Sequence, residues 1–203
     1  MNPIPTILLD GIWGRPRRLR FLCRRIEERC GPTEIFRYDS SGRSCFEDLG
    51  RKLADRVLEI GRPVNIVAFS MGGLVARAAR LMEPSLPLHR AVFLNSPHGG
   101  SWLAYTLSLP GIRQMRPSSD LLRRLDHVPW DIPTLAVWCP GDLIVIPGRS
   151  ARWKSATRII RCNVPLHPWP IWSRRLHRRI AEFLAEDARP AEAGAGIGPR
   201  VAI

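Results

Sequence analysis

Residues Val64 to Leu74, VNIVAFSMGGL, constrain the fold more than any other stretch: a short β-branched apolar run stops at a serine flanked by small residues, and a helical stretch follows. The reading is strand, sharp turn and helix, with Ser70 at the turn. In such a turn, small neighbours let a strained serine project from the C-terminal edge of a parallel sheet. Gly72 and Gly73 allow the backbone to pass close by and the helix, from about Leu74 to Met82, to pack tightly. Its N-terminus offers backbone N–H groups to a developing anion.

Around this unit, apolar runs alternate with amphipathic stretches, which predicts βα units and a mainly parallel, doubly wound α/β sheet of about six strands. The expected strands are Thr6 to Leu9, Glu34 to Tyr38, Val64 to Phe69, Arg90 to Leu94, Thr134 to Trp138 and Arg158 to Asn163. The expected helices are Pro16 to Arg29, Cys45 to Ile60, Gly72 to Met82 and Ile171 to Glu186. In the first, Leu19, Leu22, Ile26 and Cys30 fall at helical spacing opposite arginines, and Leu176, Ile180, Phe183 and Leu184 repeat the pattern in the last. Right-handed crossovers would bring the functional loops to the strand C-termini, after Leu9, Phe69, Leu94, Trp138 and Asn163. The segment 98–130 breaks the alternation; it reads as a small cap over the site or as an ordinary packed helix and loop.

A chain of 203 residues suits one domain, taken as 1–187, with the Ala, Gly and Pro-rich tail 188–203 expected to be disordered. Its apolar runs are strand length, well short of the roughly 20 residues that span a bilayer. The opening MNPIPTILLDGIWG lacks a basic leader, and a cytoplasmic location is expected. Cys23, Cys30, Cys45, Cys139 and Cys162 are odd in number and show no CxxC spacing, so neither a metal site nor a disulfide framework is expected. The net charge of +13 is almost all arginine, Lys52 and Lys154 being the only lysines. These arginines cluster on the first and last helices, from Arg15 to Arg29 and from Arg174 to Arg179. A solvated helix face is the expectation; peripheral contact with an anionic membrane is the alternative, and no specific nucleic-acid partner is expected because no zinc-finger, RRM or KH signature accompanies the charge.

A serine hydroxyl is a poor nucleophile at neutral pH and needs a base, itself oriented by an acid. After the fifth strand, WCPGDLIVIP places Asp142 in a turn; after the sixth, NVPLHPWP places His167 in a loop. The order Ser70, Asp142, His167 is one in which such triads occur. His98, also at a strand C-terminus, is a rival base, while His89, His127 and His177 read as surface or packing residues.

Four motifs in order, LLDGIWG, AFSMGG, NSPHGGSWLA and PGDLIVIP with its downstream histidine, resemble the α/β-hydrolases of lipase and esterase type from about Ile4 to Leu184. The short chain and Ala68 at the start of the elbow resemble the small bacterial lipases; the PHGGS segment resembles triacylglycerol lipases. The resemblance implies a minimal α/β-hydrolase fold and a triad of Ser70 (nucleophile), His167 (proton shuttle) and Asp142 (orienting acid), with no cofactor or metal. It also implies oxyanion donors at the backbone N–H of Met71 and of Ile12, with Trp13 as the alternative. His98 then becomes a loop-organising residue. Asp10-Gly11 departs from the family's usual His-Gly, and a carboxylate there must point away, pair with an arginine or remain protonated. Pro168 after the histidine is a second departure.

The expected function is cleavage of carboxylic esters with an apolar acyl chain, Trp13, Trp102 and Trp169 contacting the substrate. Acyl transfer or thioester cleavage would use the same residues, and a binding protein with a degenerate site is the reading from a different class.

Overall fold

The apolar runs become the strands of one all-parallel sheet, and the amphipathic stretches become the helices that cover both of its faces. The structure, a computed structural model, describes residues 3–186 and 201–202. In chain order the elements are β1 (Thr6–Leu9), α1 (Pro16–Cys30), β2 (Thr33–Ile35), α2 (Phe46–Ile60), β3 (Val64–Phe69), α3 (Met71–Met82) and β4 (Leu88–Leu94). They continue with α4 (Pro110–Gln114), α5 (Asp120–His127), β5 (Thr134–Trp138), β6 (Arg158–Arg161), α6 (Arg174–Ala185) and β7 (Val201–Ala202). The strand order is β2-β1-β3-β4-β5-β6-β7. The direction of winding therefore reverses between β1 and β3, the place where an open α/β sheet offers a crevice beyond its strand C-termini.

Period-two alternation sorts the strand residues between two cores. Ile7, Leu9, Ile66, Ala68, Ala91 and Phe93 pack under α2, α3 and α5; Leu8, Val67, Phe69, Val92, Leu94 and Val137 pack under α1 and α6. The strands read as continuous apolar runs because both faces are buried. Leu19, Leu22 and Ile26 of α1 are fully buried while Arg17, Arg20 and Arg24 face solvent. Truncating one of these, Leu22→Ala, is expected to cost about 2–5 kcal/mol of unfolding free energy, measurable by urea denaturation.

Several boundaries differ from the sequence expectation, each for a local reason. The second strand stops at Ile35 rather than Tyr38, because the chain peels off the edge so that the Tyr38 hydroxyl can donate to the carbonyl of Asp10. The last helix begins at Arg174, not Ile171: Ser173 caps it by accepting the Leu176 N–H, and Trp169–Ile171 form a separate 3-10 turn. The sixth strand ends at Arg161, two residues early. Segment 98–130 holds a 3-10 turn (Trp102–Tyr105), α4 and α5, and its Ala104, Ile112, Met115, Leu121, Leu122 and Leu125 join the first core. Most of it is packed body, with Trp102, Leu103, Tyr105 and Leu107 left exposed at its tip. The expected disordered tail lies outside the described residues, except that Val201–Ala202 pair in parallel with β6. No helix among the described residues is long and apolar enough to cross a membrane.

Candidate active site

Ser70 sits between the end of β3 and the start of α3 with φ 52° and ψ −123°. A non-glycine residue with that backbone costs about 1–3 kcal/mol and persists only where its surroundings hold it. Here the Ser70 N–H donates to Leu94 O (2.8 Å) and its carbonyl accepts from Gly73 N (3.1 Å). The two glycines of the elbow have distinct tasks. A Cβ on Gly72 would stand 2.7 Å from the Asp10 carbonyl oxygen, and one on Gly73 would collide with the Ser96 hydroxyl, so the helix start can approach β1 and β4 only without side chains.

The Ser70 hydroxyl lies 2.8 Å from His167 Nε2, and His167 Nδ1 lies 2.7 Å from Asp142 Oδ2. Asp142 is 5% exposed, and its second oxygen, Oδ1, accepts the N–H groups of Ile144 (2.8 Å) and Val145 (2.9 Å). The carboxylate is thus held from one side by backbone and presents its other oxygen to the imidazole. His167 comes from the loop after β6, and two contacts and the shape of the following residue seat it. Asn95 Nδ2, at the end of β4, donates to its carbonyl (2.9 Å); the Phe69 ring lies 4.8 Å from its ring; and the residue before its 3-10 turn is Pro168, whose φ of −80° fits that bend.

The turn after β1 runs directly beside Ser70, since a Cβ on Gly11 would stand 2.8 Å from Ser70 Cβ. Of the N–H groups expected to face an oxyanion, those of Met71 and Ile12 take part in no hydrogen bond among the described residues, whereas Trp13 N–H donates to Ser40 O (2.8 Å). The alternative donor, Trp13, is therefore committed elsewhere by the positive φ of 50° that turns its amide toward Ser40. Asp10 resolves its three options by pairing: the Arg18 guanidinium reaches Oδ1 through Nη2 (2.5 Å) and Nε (3.0 Å), and Gly11 N–H donates to the same oxygen (2.7 Å).

Of the three tryptophans expected at the substrate, Trp13 and Trp102 are 64% and 59% exposed on loops leaving β1 and β4. Trp169 is half-buried, its ring packed against the edge of the core under α1 and α6. Leu143 and Ile144 after β5, and Leu166 beside His167, are further exposed apolar side chains that sequence reading passed over. The tip carrying Trp102 is anchored at both ends. Ser101 Oγ donates to Ile144 O and accepts from Ile146 N, and Arg116 donates to the carbonyls of Ala104 and Leu107.

The rival base is sealed away. His98 is buried with no hydrogen-bond partner on either ring nitrogen, stacked 4.9 Å from Trp153 and edge-on to Phe93. Burial and the nearby Arg77 cation hold its pKa well below 6.5, so the folded protein keeps it neutral. Below pH 6.5 an unfolded histidine takes up a proton that folded His98 refuses, and stability therefore falls with pH by up to about 1.4 kcal/mol per unit. His98→Phe is expected to lose less stability than wild type between pH 7.5 and 5.5, as read from urea midpoints; His89 and His177, also lowered by burial, keep a smaller slope of the same sign in the variant.

All five cysteines are unpaired. Among the described residues no three His, Cys, Asp or Glu side chains gather as a metal-binding group.

Neither a protein-family profile nor a curated protein sequence matches the chain. Solved structures do. Aspergillus fumigatus lipase B superposes with a TM-score of 0.64 at 17% identity, over 76% of this chain and 41% of its own. The Paleococcus ferrophilus monoacylglycerol lipase gives 0.70 at 14% identity over 91% and 95% of the two chains. The Bacillus anthracis bromoperoxidase gives 0.71 at 12% identity over 91% and 93%. This chain spans less than half of the Aspergillus lipase's length. Likeness at such low identity establishes architecture, and architecture is shared here by proteins named for different chemistries.

Proposed function

We propose that this chain, which has the α/β-hydrolase fold, is a serine hydrolase of carboxylic esters with apolar acyl groups. The observation that carries the reading is the continuous line of hydrogen-bonding contacts from Ser70 Oγ through His167 to Asp142, beside two backbone N–H groups without partners among the described residues. In the proposed reaction His167 Nε2 takes the Ser70 proton as the hydroxyl oxygen attacks the acyl carbon, and Asp142 stabilises the imidazolium. Met71 and Ile12 N–H receive the negative charge that develops on the carbonyl oxygen, each such donor being worth about 3 kcal/mol. His167 returns the proton to the departing alcohol, and water repeats the sequence on the acyl-enzyme. The exposed rim of Trp13, Trp102, Tyr105, Leu143 and Leu166 favours an apolar acyl chain over a charged one.

The same rim supports contact with anionic lipid as the setting in which substrate is met, because Arg15, Arg43 and Arg149 are exposed on neighbouring connections and Arg116 lies over the Tyr105 ring. Sedimentation with phosphatidylcholine vesicles containing phosphatidylglycerol is expected to capture the protein at 50 mM salt, and to lose most of it at 500 mM as the charges are screened. Absent or salt-insensitive capture would remove this part of the proposal. Five unpaired thiols are consistent with the reducing cytoplasm as its compartment.

The deciding test is hydrolysis of p-nitrophenyl esters of increasing acyl length, together with labelling by a fluorophosphonate. Turnover rising from acetate toward medium chains, with the label on Ser70, is the expected result. A folded protein that neither turns over any ester nor takes the label would be a binding protein on this fold.

A further inference from the structure

We infer that Arg18 is a positioning residue for the proposed ester hydrolysis, acting through Asp10 on the turn that carries the Ile12 N–H. This rests on the hydrolase reading given above. The observations converge on one turn. Asp10 is 6% exposed and stands two residues before the oxyanion donor. Its carboxylate accepts from Gly11 N–H and is gripped by the fork of Arg18, with Oδ2 also 3.1 Å from Nε. Its carbonyl accepts the Tyr38 hydroxyl, and that carbonyl sits where any Cβ on Gly72 would fall. Gly14 closes the turn by donating to Gly11 O (3.0 Å), and a Cβ there would strike the Asp10 side chain at 2.7 Å. Tyr38 and the elbow thus set where the backbone of residue 10 lies, while Arg18 sets where its carboxylate points.

Two consequences follow. The first is geometric: the Asp10 side chain, held by Arg18, in turn holds the Gly11 amide, so Ile12 N–H keeps its aim beside Ser70. The second is electrostatic. A buried carboxylate so near a developing oxyanion opposes the charge that forms there, and a guanidinium in bidentate contact cancels that opposition locally. Arg18 also lies 5.3 Å over the Phe69 ring, which stands 4.8 Å from the His167 ring. One cation therefore buttresses both the oxyanion turn and the wall behind the base.

The test compares Arg18→Gln, Arg18→Lys and the double variant Asp10→Asn/Arg18→Gln with wild type on the best p-nitrophenyl ester, and follows the Gly11 and Ile12 amides by NMR hydrogen exchange. Arg18→Gln is expected to lower kcat by about 30- to 100-fold with KM changed less than threefold, because the loss falls on transition-state charge. Arg18→Lys, which keeps the charge without the fork, should fall between. The double variant should regain about tenfold over Arg18→Gln, since an asparagine oxygen still accepts Gly11 N–H and no uncompensated charge remains. Exchange of the Gly11 amide should quicken at least about tenfold in Arg18→Gln while core amides keep wild-type protection. The inference is overturned if kcat of Arg18→Gln stays within threefold of wild type, if the double variant is no better than the single, or if the Gly11 amide is unaffected. A wild type without Ser70-dependent turnover would instead sink the hydrolase reading, an outcome separable because the exchange measurement does not depend on turnover. Should Arg18→Gln fail to fold, Arg18→Lys carries both measurements.

Discussion

Ser70→Ala is expected to abolish ester turnover, lowering kcat by about 10⁴- to 10⁶-fold, with the thermal midpoint within a few degrees of wild type. The size follows from what is removed: the atom that would form the acyl-enzyme in the proposed reaction. What remains is the pair of backbone donors and the apolar rim, which bind but cannot bond. Folding is spared because the hydroxyl's partner is the His167 ring, itself held independently by Asp142, Asn95 and Phe69. The elbow backbone keeps its positive φ in the variant, since alanine retains the Cβ and all backbone hydrogen bonds. Residual turnover above about 1% of wild type would place the chemistry on another residue, far beyond what a site stripped of its nucleophile sustains.

Asp142→Asn should be nearly as damaging, about 10⁴-fold in kcat, although it changes one atom. Asp142 Oδ1 accepts two backbone N–H groups, from Ile144 and Val145. In the asparagine variant the amide oxygen must take that place, because an NH₂ facing two N–H donors would leave all three unsatisfied. The NH₂ then points at His167 Nδ1, which has to become an acceptor. The ring proton moves to Nε2, where it faces the Ser70 hydroxyl and cannot accept its proton. The histidine is therefore held in the wrong tautomer rather than merely loosened. A nitrogen-15 spectrum of the His167 ring would show the switch directly, and a variant whose kcat fell less than tenfold would mean that the imidazole is oriented by its other contacts alone.

How much of this was legible in the residues depends on how local each signal is. Ser70 announces itself because strand, small-residue turn and helix are contiguous. Asp142 and His167 are recognisable only as turn and loop residues after predicted strands, and their order in the chain did the rest. Arg18 was invisible for a different reason: it is one of several arginines on a helix whose pattern reads as solvated, and nothing in periodicity marks the one that folds back onto Asp10. Asn95 carries no local signal, because its use depends on a backbone carbonyl 72 positions away. Trp169 is ambiguous in sequence, since aromatic character alone does not say whether a half-buried ring near His167 covers substrate or core. The second strand ran too long on paper because β-propensity cannot anticipate that Tyr38 is wanted under the turn of β1.

The anchoring of the exposed tip from Trp102 to Leu109 bears on how a hydrolase of the proposed kind would change its diet. Its start is tied down through Ser101 and its backbone through Arg116, which holds the carbonyls of Ala104 and Leu107, while the side chains of Trp102, Leu103, Tyr105 and Leu107 stay exposed. If the proposed hydrolysis holds, libraries that vary these exposed side chains would explore new acyl groups while Ser70 and His167 stay fixed, so that substrate range would evolve as an interchangeable cassette rather than through the reaction centre.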